Sequence, residues 1–122
     1  MENIKIIDNY MDDREFRNYI ATVLPKFGFD SIKIEDTRIS DDNKENDNDI
    51  YASKNGFSYT VLTYLNKKVT KNELGECIKD IEHEGVTCGV IVSNMEVDSK
   101  IKEEAKRLKI EIIDRNLLKK LV

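Results

Sequence analysis

At 122 residues, with 39% hydrophobic and 36% charged side chains, the chain has the size and polarity of one globular domain, residues 1–122, with a heavily charged surface. No run of about eighteen apolar residues is present, so no membrane-spanning helix is expected. The start MENIKIIDNYMDD lacks the basic-then-apolar pattern of a secretory signal, which makes cytoplasm the expectation. The net charge of −4 is uneven: −6 over residues 1–50, −1 over 51–97 and +3 over 98–122. That balance argues against a dedicated nucleic-acid binder, while the C-terminal quarter can still present a local basic face.

Asp12 or Asp13 can cap a helix running to about Leu24, with Phe16, Tyr19, Ile20, Val23 and Leu24 as its apolar stripe and Pro25 at its end. Gly28 permits a turn, and SIKIED alternates Ile32 and Ile34 with polar residues as a half-buried strand does. The stretch SDDNKENDND, Ser40 to Asp49, reads as a solvated loop. It lacks the glycine and the terminal glutamate of a calcium loop.

DIYASKNGFSYTVLTYL, Asp49 to Leu65, is a β-hairpin turning at Asn55-Gly56. A two-residue turn fixes the pairing: Lys54 faces Phe57, Ala52 faces Tyr59, Ile50 faces Val61 and Asp49 faces Leu62. Alternation puts Ile50, Ala52, Phe57, Tyr59, Val61 and Leu65 on a core face. Asp49, Tyr51, Ser53, Ser58, Thr60, Leu62 and Tyr64 fall on a more polar face, so that Asp49, Leu62 and Tyr64 meet at one end.

TKNE, Thr70 to Glu73, is a capping box opening a helix to about Glu84, with Leu74, Cys77, Ile78 and Ile81 inward and Gly85 as its stop. His83 near its end favours the helix dipole from the surface. VTCGVIVS is a strand covered on both faces. Asp98 or Ser99 caps a further helix carrying Ile101, Ala105 and Leu108, IEII is a short strand, and DRNLLKKLV supplies a terminal helical turn or two. Cys77 and Cys88 form no CxxC pair, and with one histidine they make no ordinary zinc site; both are expected to be reduced core residues. The order α, three β, α, β, α, β, α predicts an α/β fold: an antiparallel meander continued by right-handed parallel crossovers into one mixed sheet flanked by helices.

Over almost its whole length the chain resembles the Mrr-type branch of the restriction-endonuclease-like (PD-(D/E)xK) superfamily. The matching stretches are EFRNYIATVLPKFGF, DNDIYASKNGFSYTVLTYLNKKVTKNELGECI, EGVTCGVIVSN and IKEEAKRLKIEIIDRNLLKKLV. The resemblance implies an αβββαβ core and magnesium-dependent DNA cleavage. The family's strand-entry aspartate is matched by Asp49. Its second acid and its lysine, on the next strand, are replaced by Leu62 and Tyr64, and the glutamate of its first helix is replaced by Arg17.

Hydrolysis of a phosphodiester with Mg²⁺ needs oxygen ligands and a group that orients the attacking water. Leu62 is no ligand, Tyr64 is neutral at pH 7, and Arg17 repels a metal ion. Asp47 can join Asp49 as a metal ligand only if the strand begins early, and Lys54, Lys67 or Lys68 would have to swing in to replace the lysine. No histidine or arginine cluster is placed to activate Tyr64 as a nucleophile. The sequence therefore predicts a nuclease fold without cleavage, and no cofactor. It leaves three roles in competition. One is a duplex-DNA binder using Lys67, Lys68 and Lys71, together with the tail residues Lys100, Lys102, Lys106, Arg107 and Lys109. Another is an active Mg²⁺-dependent endonuclease with relocated residues. The third is a protein-interaction module or homodimer.

Overall fold

The computed structural model describes residues 12–36 and 48–120. Residues 37–47, which hold Asp47 and most of the stretch expected as an acidic loop, lie outside the described residues, as do the side chains of Glu35, Asp36, Asn48 and Asp49. Helix α1 (Asp13–Val23) is opened by a capping box in which the Asp12 carboxylate accepts from the Glu15 N–H and Glu15 accepts from the Asp12 N–H. Pro25 then tightens the chain into a 3-10 turn, Leu24–Phe27, which Gly28 ends at φ 96°. Strands β1 (Asp30–Asp36), β2 (Asn48–Lys54) and β3 (Phe57–Tyr64) follow. Helix α2 (Lys71–Glu84), strand β4 (Cys88–Ser93), helix α3 (Ser99–Arg107), strand β5 (Ile110–Ile113) and helix α4 (Arg115–Lys119) complete the elements among the described residues.

The five strands form one sheet in the order β1-β2-β3-β4-β5. The first three are antiparallel neighbours, and β3, β4 and β5 are parallel. The hairpin register is the one the Asn55-Gly56 turn dictates, from Lys54↔Phe57 to Ile50↔Val61, with both turn residues at positive φ. An irregularity between Asp30 and Lys33, where Ser31 takes φ 52°, shifts the edge strand β1. No helix among the described residues is long and apolar enough to cross a membrane.

Each face of the sheet carries a core. Phe16, Ile20 and Val23 of α1 pack against Ile50, Val61, Val90 and Val92 on one face, joined by Ile113 and Leu118. Leu74 and Cys77 of α2 pack with Val69, Ile91, Val97, Ala105 and Ile110 on the other. Leu62 and Tyr64 are half-buried against this second core, and Thr60 is buried. The face expected to be the more polar one is thus covered, because α2 lies on it. Phe57, expected in the core, is 51% exposed: its register is right, but it sits at the hairpin tip, away from the buried cluster. Ile34 is likewise 42% exposed on the edge strand, whereas Ile32 packs against the first core. Cys77 is buried and Cys88 half-buried, both as free thiols, and burial followed by the Asp80 charge pushes the Cys77 thiol up to about 12.

Candidate active site and nucleic-acid interface

Strand β3 carries Leu62 and Tyr64, the two positions that the sequence resemblance aligns with an acid and a lysine. Leu62 stands beside Ile91 of β4, itself fully buried, and its side chain offers no oxygen. Two residues on, the Tyr64 hydroxyl donates to Glu76 Oε1 of α2 at 2.6 Å. Burial, and then the Glu76 hydrogen bond and charge, hold the Tyr64 phenol well above its ordinary value of 10. A phenol that keeps its proton is neither a nucleophile nor a cation.

A second carboxylate from the same helix reaches the same strand, where Thr60 Oγ1 donates to Asp80 Oδ2 at 3.4 Å. Burial, and then the neighbouring Glu84, raise Asp80 above the usual carboxylate range. Glu76 and Asp80 were not singled out in the sequence. Their spacing along α2, one turn apart beside Leu74, Cys77 and Ile81, was the available signal. Glu73, the third acid on this side, is committed: Oε1 accepts from the Thr70 N–H and hydroxyl at 2.7 Å, and Oε2 pairs with Lys67 at 3.3 Å. Burial opposes its charge, but those bonds win and its pKa is lowered.

Asp49 lies in β2 opposite Glu35 of β1, one residue before the Ile50↔Val61 pair. Because β2 and β3 are antiparallel, Asp49 opens its strand at the sheet edge where Leu62 and Tyr64 close theirs. Arg17 belongs to α1, which packs on the opposite face of the sheet from α2. The structure therefore does not bring Arg17 onto the face of Leu62 and Tyr64. Its buried Nε has no hydrogen-bond partner among the described residues. Lys54 also points to the α1 side, where it pairs with Glu111 at 2.7 Å and lies 4.5 Å from the Phe29 ring centroid. Among the described residues, which leave out the Asp49 side chain, no three acidic, histidine or cysteine groups gather as a metal site.

The three lysines after β3 differ. Lys67 is held, its ammonium on Glu73 and 5.5 Å from the Tyr64 ring centroid. Lys68 and Lys71 are exposed and make no ion pair with the described residues. In the tail, Lys102 pairs with the buried Asp114 at 3.0 Å and Arg107 with Glu104 at 3.6 Å, while Lys100, Lys106 and Lys109 belong to a surface that also carries Glu103.

A family model described as a restriction endonuclease, of the Mrr catalytic type, matches residues 8–122. No curated protein matches the chain. The matched span takes in α1, the whole sheet, and the helices on both of its faces. By that match the chain belongs to the Mrr-type restriction endonuclease family.

Proposed function

We propose that this restriction endonuclease-like domain has lost metal-dependent cleavage and binds duplex DNA without cutting it. The observation that carries the reading is the state of β3, where Leu62 packs beside Ile91 and the Tyr64 hydroxyl is spent on Glu76. Mg²⁺ takes near-octahedral oxygen coordination and gives up its waters reluctantly. The donors at these two positions do not fit it: one is a hydrocarbon and the other a protonated phenol already hydrogen-bonded. Asp49 with a backbone carbonyl would leave the ion mostly hydrated. Asp47, as a second ligand, would have to act from beyond the described residues.

Lys68 and Lys71, exposed just past the β3 end, supply the cations for phosphate contacts, with Lys67 beside them. Three phosphate contacts give a slope of about −2.7 in log affinity against log salt, or a roughly 40-fold loss between about 50 and 200 mM. Titration of a labelled duplex at both salt concentrations tests this. The double variant Lys68→Ala/Lys71→Ala is expected to flatten the slope by about 2. No binding at the lower salt would remove DNA as the ligand. In that event a mass above the monomer in small-angle scattering would favour the protein-interaction role instead.

A second reading has one observation in its favour: the Lys67 ammonium lies over the ring that replaces the family's lysine. An endonuclease with relocated residues would use that cation with Asp49. Against it, Lys67 is neutralised by Glu73, which the capping box holds in place. Plasmid incubated with Mg²⁺ or Mn²⁺, with Asp49→Ala as control, separates the two. Cleavage abolished by that substitution would establish the second reading.

A further inference from the structure

Three strand ends meet in one depression. Because β3, β4 and β5 run parallel, the residues that follow them emerge on one edge of the sheet: Asn66 after β3, Asn94, Met95 and Glu96 after β4, and Arg115 after β5. Together they line a cavity of about 470 Å³. That volume is typical of small-molecule sites, and the crevice outside the carboxyl ends of parallel strands is where open α/β sheets bind ligands.

The walls are already set. Asn94 is 3% exposed, and its Oδ1 accepts from the Asn66 N–H at 2.7 Å while its Nδ2 donates to Asn66 Oδ1 at 2.9 Å. This pair holds Asn66 at φ 58°, a left-handed conformation that asparagine tolerates better than most residues. The Ser93 hydroxyl accepts from the Met95 N–H at 3.0 Å, and the Arg115 N–H donates to the Met95 carbonyl at 3.3 Å. A site fixed before its ligand arrives loses little entropy on binding.

We infer that this depression holds one unpaired nucleobase. The Arg115 and Glu96 charges cancel, so the site has no net attraction for a phosphate. What remains in the lining is a polar donor, a polar acceptor and a soft apolar group. The Asn66 carboxamide nitrogen, which makes no hydrogen bond with the described residues, is a donor, and the Glu96 carboxylate is an acceptor. Met95, 39% exposed, offers a thioether against which a ring can lie. A base edge presents the complementary acceptor and donor on a flat, neutral ring. The inference rests on the DNA-binding reading for its biological context, since Asp49 opens β2 on the same edge of the sheet. The pocket's chemistry can be tested apart from it.

The experiment has two arms. In the first, ¹⁵N-labelled protein is titrated with the four uncharged nucleosides, and separately with ribose and with inorganic phosphate. Nucleosides are expected to shift the side-chain amide signals of Asn66 and Asn94, with ribose and phosphate leaving them in place. No nucleoside shift, or an equal shift with ribose or phosphate, overturns the inference whatever the duplex result. In the second arm, a duplex with one bulged base is compared with its fully paired counterpart. The bulged duplex is expected to bind roughly tenfold more tightly, the lower end of what one good base contact gives. Asn66→Gly, which keeps the backbone conformation and removes the donor, is expected to abolish that preference while leaving affinity for the paired duplex unchanged. A preference that survives this variant would overturn the assignment to this pocket. Failure of both duplexes to bind, with nucleoside shifts intact, would refute the DNA-binding reading alone.

Discussion

The Tyr64 phenol and the Asp114 carboxylate show how burial acts on an ionisable group with and without compensating partners. Burial holds the proton on Tyr64, and the Glu76 charge adds to that effect. Tyr64→Phe removes one hydrogen bond to an exposed carboxylate, so it is expected to cost about 1 kcal/mol in urea unfolding and to leave DNA affinity unchanged. Asp114 is fully buried yet charged. Burial pulls its pKa upward, but the Val97 N–H at 3.1 Å, the Lys102 ammonium at 3.0 Å and the N–H groups opening α4 outweigh it. Its folded pKa thus lies below the unfolded value, which is near 4. The stability it contributes is present above about pH 4 and is lost as pH falls through the folded value. Asp114→Ala would leave buried donors unmet and is expected to cost about 3 kcal/mol at pH 7, with a flattened acid limb in the stability-against-pH curve. Asp80 has the opposite sign: its raised pKa means that its ionised form costs stability at neutral pH. Asp80→Asn is therefore expected to raise the urea midpoint at pH 7, and no gain there would contradict the assigned burial cost.

Among the elements, the Thr70–Glu73 capping box, an aspartate cap on α1 and the Asn-Gly turn were legible because each is a local rule whose side chains satisfy backbone groups a few residues away, while the return bond from Glu15 that completes a second box on α1 was not singled out. The hairpin register followed from the turn alone. What covers each face did not. Alternation in YTVLTY sorts side chains to two sides but carries no information about which side a distant helix will occupy, so the face of Thr60, Leu62 and Tyr64 read as polar. The helix satisfies it with Glu76 and Asp80. The exposure of Phe57 escaped for the same reason, since alternation gives a side and not the distance to the nearest helix. Gly89 marks how tightly α2 is seated. A Cβ there would strike the Cys77 sulfur and come within 3.2 Å of Ile81. Gly89→Ala is expected to cost about 1–3 kcal/mol by overpacking. Adding Cys77→Ala should return part of that loss, and a double-mutant cycle in urea would measure the coupling. Additive effects would show that α2 does not rest on β4 at this point.

Across the whole molecule, a meander continued by two parallel crossovers brings the start of β2 and the ends of β3, β4 and β5 to one edge of the sheet. That edge holds Asp49, which the resemblance matches to the family's strand-entry aspartate, the lysines after β3 and the depression between Asn66 and Arg115. Over the described residues the order of the elements was legible, because the helices and strands that build the two cores are strongly patterned and the short ones are set off by caps and turns. The proposed loss of cleavage was legible only as substitutions, since sequence cannot show that Tyr64 finds Glu76 and gives up its hydroxyl to it. On this account, the edge still meets DNA but cannot hold the ion that cleavage needs. Anomalous scattering from a crystal soaked in Mn²⁺ asks this of the molecule directly. The expected map has no manganese peak bound by two or more protein carboxylates beside Asp49. A strong peak bridged by Asp49 and a second acid, whether Glu76 or Asp47, would contradict the loss of the metal site and restore the endonuclease reading.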